Sequence, residues 1–504
     1  MKKSVAVIGA GVAGLSAACR LQANGYDVTV YEKNAIPGGK MHRIEKDGYT
    51  YDVGPTLVMM PDVYDDVFAQ AGKDPRDYIR MKRLEPMYSV YFDRDELKRY
   101  DVKSDLVALN KMLEERSPQT ALGFKRYLAE IYRRYQIALE HFIRRPFRRP
   151  WDLYNPKMLR QALKLKTFDS ADHMMHKYIQ DRDIAQMMSF QTLYIGVSPK
   201  KGPSLYNIIP MIELLYGVWT LDGGMHAMAR GMAKLLEDLG GRVNYGATVE
   251  EIVIESDAVK GVKIEGSVLE SDYVVSNADF PYTMKHLIKD ARAKGKYTDQ
   301  KIDSMDYSCS CLIFYWGMAK RYELVDTHTF IVSRDLDKNL EQIFSGAFIE
   351  DASVYLSIPS RGDEAMAPKG KDGFYVLIPV SELSTVKYRY DEANIRKYKE
   401  NALKKIERLP GCENVRKEIV SETIFTPYDF EERFNAYNGA TFGLQPTLRQ
   451  SNHWRPQAKA KKVEGLYFAG SSTHPGAGVP IVLESGKICA EELRRDEPSD
   501  AFER

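Results

Sequence analysis

The stretch Ser4 to Glu32, SVAVIGAGVAGLSAACRLQANGYDVTVYE, constrains the chain most. An apolar β-branched run, Val5 to Ile8, leads into Gly9, Gly11 and Gly14 at G-x-G-x-x-G spacing. An alanine-rich segment follows and stops at Asn24-Gly25. A second run, Val28 to Tyr31, ends in Glu32. Strand, glycine turn, helix, strand and acid in that order form the fingerprint of a dinucleotide-binding βαβ unit. Gly9 permits the tight turn and Gly11 the close approach of a pyrophosphate. Gly14 lets the helix pack on the sheet, with its N–H groups turned to the phosphates. Glu32 can accept both hydroxyls of an adenosine ribose, and its charge disfavours a 2′-phosphate. Lys2-Lys3 before an apolar run resembles a signal peptide, but the glycines, Arg20 and the prompt return to a strand argue against one.

A chain of 504 residues has room for two or three domains. A net charge of +2 gives no nucleic-acid signature, and five scattered cysteines form no disulfide or metal framework. A reducing cytosol fits, and no run of eighteen apolar residues offers a transmembrane helix.

Beyond Glu32, Gly38-Gly39-Lys40 favours a flavin over a nicotinamide, because a second glycine turn under the pyrophosphate leads on towards a flavin. The same residues also read as a plain surface turn. Tyr49 to Val53 reads as a strand ending at Gly54-Pro55-Thr56, either a turn against a flavin ring or an ordinary strand end. Residues 62 to 145 read mainly as helices with two short strands. In 143 to 222, arginines alternate with aromatics and prolines (IRRPFRRPW), and nine of the twenty methionines fall between Met158 and Met232. The run Ile208 to Trp219 carries one charge, Glu213. This is either a solvated basic face over a buried helix, or a patch that sets arginines on lipid headgroups and dips apolar residues into the interface. Thr248-Val249-Glu250 is an edge on which adenine can rest, or core. Near the end, Val463 to Gly470 reads as a strand, and the turn Ser471 to Pro480 leads into a helix, Ile481 to Arg494. That second helix N-terminus would favour negative charge on a reduced flavin.

Four pieces together resemble the bacterial carotenoid (phytoene) desaturase family: the N-terminal unit with Gly38-Gly39-Lys40; Asp52-Val53-Gly54-Pro55-Thr56; Gly223-Gly224-Met225 with Ser276-Asn277-Ala278-Asp279; and His474-Pro475-Gly476-Ala477-Gly478-Val479-Pro480. Val58 to Tyr64, Phe190 to Gly196 and Ser421 to Pro427 are similar to the 4,4′-diapophytoene desaturases. The resemblance implies a mixed α/β fold. A discontinuous Rossmann-like FAD-binding domain (1–85, 223–290, 455–495) would join a substrate domain with a β-sheet (86–105, 291–454). A helical membrane-associating part (106–222) and a disordered tail (496–504) would complete the chain.

The resemblance implies FAD, held at Gly9, Gly11, Ala13, Gly14, Glu32, Lys33, Gly39, Lys40, Gly54, Pro55, Thr56, Val249, Gly470, Gly478, Val479 and Pro480. It implies a long apolar isoprenoid substrate and a quinone or oxygen as acceptor. It sets the protein peripherally on the cytoplasmic face of the membrane. The implied reaction moves a hydride to flavin N5 with proton loss, 4,4′-diapophytoene giving 4,4′-diaponeurosporene or, further, diapolycopene. A polyene isomerase, a terminal-methyl oxidase, a C40 phytoene desaturase and a non-catalytic flavin scaffold are the alternatives. No His–acid or paired-carboxylate set marks a base. Glu213, His474 and Asp222 are the candidate helpers. Asp222 stands where relatives often carry a basic residue.

Overall fold

The computed structural model describes residues 2–94 and 96–497. The β-branched run at the N-terminus becomes the central strand, Ser4–Ile8, of a five-stranded sheet. On one side it pairs in parallel with Tyr273–Ser276, which pairs with Leu466–Phe468; on the other lies Asp27–Glu32, followed by Arg242–Tyr245. Both neighbours of Ser4–Ile8 follow it in the chain, the next strand on one side and a much later one on the other. The sheet has a switch point at the end of that strand, where open α/β sheets bind ligands.

The helix Val12–Ala23 is buried along almost its whole length. It packs against His226–Asp238 and against the C-terminal helix Val479–Arg495. Gly486 permits the second contact, because a Cβ there would lie 2.5 Å from the carbonyl oxygen of Ala13. Ser16 Oγ donates to Leu483 O at 2.8 Å across the same seam. The two ends of the chain therefore meet over one sheet. Asp496, expected in a tail, instead follows the last helix and accepts from Tyr467 Oη at 2.7 Å. Residues 498–504 lie outside the described residues.

A seven-stranded sheet is built on Ser310–Met318, an apolar strand buried at every position. The order is Ile419–Phe425, Ser310–Met318, Gly373–Val380, Val354–Ser357, His328–Val332, Tyr88–Asp93 and Leu97–Val102. All pairs are antiparallel except Tyr88–Asp93 with His328–Val332. Within 62–145 there are three strands, not two, since Met81–Arg83 joins Tyr88–Asp93 and Leu97–Val102. Thr248 to Glu250 precedes the strand Glu251–Glu255 as a loop.

The helical part contains the buried helix of the first reading. In the helix Ile208–Tyr216, all but Ile209 and the last two residues are buried, and Tyr127 Oη donates to Asn207 O at its start. The nine methionines between Met158 and Met232 are all buried. Arg144 pairs with Glu484 at 3.1 Å and Arg148 with Glu492 at 2.5 Å, both on the C-terminal helix, so these arginines tie the helical part to it. Its exposed apolar side chains include Trp151, Leu159, Leu163 and Phe168, with Lys157, Arg160 and Lys164 exposed close by in sequence.

Candidate active site

One continuous cavity runs from Glu32 and the glycine turns, past Gly54-Pro55-Thr56, to the aromatic face of the seven-stranded sheet. At its first end, Gly9 takes φ +92° to leave the strand, and its N–H donates to Tyr31 O at 2.8 Å. Gly38 reaches back over the turn, its N–H donating to Ala10 O at 2.8 Å. A Cβ on Gly39 would lie 3.3 Å from the Gly11 Cα, so the two glycine turns touch backbone to backbone. Glu32 is buried and accepts from Ala10 N at 2.7 Å, Asn34 N at 2.8 Å and Asn34 Nδ2 at 2.9 Å. These bonds fix the carboxylate and leave lone pairs for further donors.

Two helix N-termini open on this cavity. Val12–Ala23 begins at Gly11 and Val479–Arg495 at Gly478 (φ +101°), and neither has a side-chain cap. Gly11, Val12, Ala13, Gly478, Val479 and Pro480 all line the space. Uncapped first turns present free N–H groups and a positive dipole end to a ligand. A glycine cradle, a fixed acid at one end and two uncapped helix starts fit a dinucleotide with a flavin at its far end. The residues that would hold FAD are those of the Gly9–Gly14 turn, Glu32, Gly38-Gly39, Gly54 to Thr56 and Gly470 to Pro480.

Of the residues expected to contact FAD, Gly14 alone does not line the cavity. It packs behind the turn, where a Cβ would stand 2.4 Å from Gly9 O and 2.9 Å from Asn277. The two lysines line the space but spend their charge elsewhere. Lys33 Nζ donates to Glu432 O (2.9 Å) and Asn435 Oδ1 (2.8 Å), and Lys40 Nζ to Thr441 O (2.8 Å) and Ala440 O (3.3 Å). Burial pushes both ammonium pKa values down. Asn277 joins the two ends of the site. Its Nδ2 donates to Ala469 O at 2.8 Å, and its Oδ1 lies where Cβ atoms on Gly11 and Gly14 would fall.

The candidate helpers are not at the cavity surface. His474 is buried with Nε2 on Arg145 O at 2.9 Å and its ring edge-on to Phe147. Burial lowers its pKa to about 4, so it is a neutral strut between the turn and the helical part. Asp222 pairs with Lys82 at 2.6 Å, outside the site. Glu213 is fully buried behind the wall, accepting from Tyr88 Oη at 2.8 Å.

Sequence reasoning missed the wall itself. Phe190, Tyr194, Phe330 and Tyr355 line the cavity as one aromatic cluster. Phe330 has ring centroids 4.8 Å from Phe190, 4.7 Å from Tyr355 and 6.1 Å from Tyr194. No local signal marks it, since Phe330 and Tyr355 meet only as opposite residues in the register of two paired strands. Tyr355 Oη bridges Thr56 Oγ1 at 2.5 Å and His328 Nδ1 at 2.7 Å, tying the Gly54-Pro55-Thr56 turn to this wall. Among the described residues no group of His, Cys, Asp and Glu could hold a metal ion.

A parallel sheet with two free helix starts around one dinucleotide-shaped cradle, open to an apolar chamber, defines a flavin-dependent oxidoreductase. Residues 12–494 match the family described as flavin containing amine oxidoreductase, and FAD is the cofactor. The fold resembles that of an oxidoreductase from Methanosarcina mazei, with TM-score 0.64 at 14% identity, covering 98% of this chain and 100% of that one. More narrowly, the chain is 44% identical over 497 residues to a 4,4′-diapophytoene desaturase (4,4′-diaponeurosporene-forming) of Staphylococcus haemolyticus, covering 98% of this chain and 99% of the relative. It is 45% identical over 498 residues, with the same coverage, to the protein of that name from Staphylococcus aureus. The chain belongs to the flavin containing amine oxidoreductase family, among the 4,4′-diapophytoene desaturases.

Proposed function

We propose that this chain is an FAD-dependent desaturase that introduces successive conjugated double bonds into a C30 isoprenoid, converting 4,4′-diapophytoene to 4,4′-diaponeurosporene. The observation that carries the reading is the single cavity that joins the FAD cradle to the aromatic wall of Phe190, Tyr194, Phe330 and Tyr355. A hydrocarbon has no polar handle, so it is held by burial, at about 25 cal/mol per Å2 of apolar surface. Bound FAD supplies a two-electron, hydride-accepting centre. The protein fixes the polyene against it and excludes water, and the two helix N-termini stabilise negative charge that develops there. A quinone or oxygen then takes the electrons.

The test is co-expression with a source of 4,4′-diapophytoene, followed by pigment spectra and mass. Products with added conjugation and two fewer hydrogens per step support the reading. Unchanged desaturation with a moved double bond or an oxidised terminal methyl would replace it.

The same proposal sets the protein on a membrane, since its substrate resides there. No described helix is long and apolar enough to cross one. Trp151, Leu159, Leu163 and Phe168, with Lys157, Arg160 and Lys164, form the surface we assign to it; Leu163 and Phe168 are 68% and 84% exposed. Removing two such side chains from a lipid interface forfeits about 1.5–3 kcal/mol each. Leu163→Glu with Phe168→Glu is therefore expected to weaken binding to anionic phospholipid vesicles by about 100-fold or more. Turnover of detergent-dispersed substrate should be retained. Unchanged sedimentation with vesicles would remove this surface from the proposal.

A further inference from the structure

The chamber wall has a polar backing. Glu213, on the helix Ile208–Tyr216, is fully buried. Its Oε2 accepts from Tyr88 Oη at 2.8 Å and from Gln191 Nε2 at 3.4 Å, whereas Oε1 has no hydrogen-bond partner. The hydroxyl of Tyr194 is also buried without a partner, while the residue itself lines the cavity. After its own burial, the largest influence on that hydroxyl is the Glu213 carboxylate. Two unsatisfied buried polar atoms, one an acceptor and one a donor, call for an explanation. Tyr88, Tyr127 and Tyr194 are the titratable groups that face Glu213, from a strand, a helix and the segment Phe190–Ile195. Among the described residues no cation offsets its charge.

The geometry points to Tyr194 as the catalytic residue that takes the substrate proton, with Glu213 behind it as the positioning residue that receives the phenol's own proton. This rests on the desaturase reading. Dehydrogenation removes a hydride with its bonding pair from one allylic carbon, reducing the flavin by two electrons and leaving an allylic cation. The C–H bond on the neighbouring carbon then breaks. Its electron pair becomes the new π bond, its proton passes to Tyr194 Oη, and the Tyr194 proton passes to Glu213 Oε1. The carboxylate thus serves first as a counter-charge to the cation and ends as a neutral acid. Tyr355 is already engaged with Thr56 and with a buried neutral imidazole, His328, and Tyr375 donates to Gly54 O at 2.9 Å, so neither has a charged acceptor behind it.

Burial raises the Glu213 pKa to about 7, the Tyr88, Gln191 and Tyr194 groups opposing. Because only the carboxylate accepts a proton, kcat of the wild type should rise with pH through that value and then level. The experiment uses FAD-loaded enzyme and dispersed 4,4′-diapophytoene, with kcat and KM measured against pH and anaerobic bleaching of the flavin followed in parallel. Tyr194→Phe and Glu213→Gln are expected to lower kcat by about 10²–10⁴-fold, with KM changed little. Both should abolish the pH step, and Glu213→Asp should restore part of it. In FAD-free protein, the carboxyl infrared band lost in Glu213→Gln should titrate in the same range. Wild-type kcat and an unaltered pH profile in Tyr194→Phe overturn the inference, even if Glu213→Gln does not fold. A wild type that never desaturates the substrate overturns the functional reading instead.

Discussion

Gly14→Val is expected to give a folded but colourless protein. The position does not touch the cavity, yet it sets where the first helix begins. A Cβ there would stand 2.4 Å from the carbonyl oxygen of Gly9 and 2.9 Å from the side chain of Asn277. Neither neighbour can give way. Gly9 is fixed to Tyr31 through its N–H, and Asn277 is held by its own N–H to Ile8 O and by Nδ2 to Ala469 O, each at 2.8 Å. The helix must therefore lift from the sheet, carrying the N–H groups of its first turn with it. Overpacking of this kind costs about 1–3 kcal/mol. Because the strain falls on the phosphate cradle, FAD affinity should drop by about 10- to 100-fold. Absorbance near 450 nm of the purified protein and titration of the apoprotein with FAD measure it. A variant as yellow as the wild type, at equal affinity, would show that the helix start is not what holds the cofactor.

That glycine was legible in the sequence because its reason is local: a turn and a close approach demand the absence of a side chain wherever the rest of the chain goes. The same holds for Gly9 and Gly478, which take positive φ, whereas at Gly11 it is the distant Asn277 that leaves no room for a side chain. The chamber was not legible, for the opposite reason. Period-2 alternation tells which residues of a strand share a face, but not which face meets a cavity. Phe330 and Tyr355 become neighbours only through the pairing of their strands. The arginines at 144 and 148 read only as a local basic run, because their partners, Glu484 and Glu492, lie more than 300 residues away in sequence. The methionines suggested an adaptable surface, yet the same flexible side chains fill core gaps equally well, and composition does not distinguish the two. His474 lies within the glycine-rich turn, but the direction of its ring depends on a carbonyl of Arg145.

Arg455→Met should destabilise the protein by about 3–5 kcal/mol, the summed and partly relaxed cost of buried carbonyls left without donors. Arg455 is 1% exposed, yet no carboxylate pairs with it among the described residues. Its guanidinium instead donates to four carbonyls: Nε to Thr473 O, Nη1 to Gln450 O, and Nη2 to both Leu444 O and Ser471 O, at 2.5–3.0 Å. Burial lowers its pKa to about 10, so it remains charged at neutral pH. Methionine fills similar space but leaves those carbonyls without donors, each a loss of about 1–3 kcal/mol before relaxation. Lysine is no substitute, because an ammonium presents its three donors from one point while the guanidinium fork spans the set. Ser471 and Thr473 line the cavity just before the helix that starts at Gly478. Loosening them should therefore weaken FAD binding as well as the fold. Thermal unfolding should show Tm lowered by about 3–5 °C in Arg455→Met and by less in Arg455→Lys. Excess FAD should recover part of the difference by mass action. If Tm falls but FAD affinity stays at the wild-type value, the arginine supports the core alone and the turn is held by other contacts.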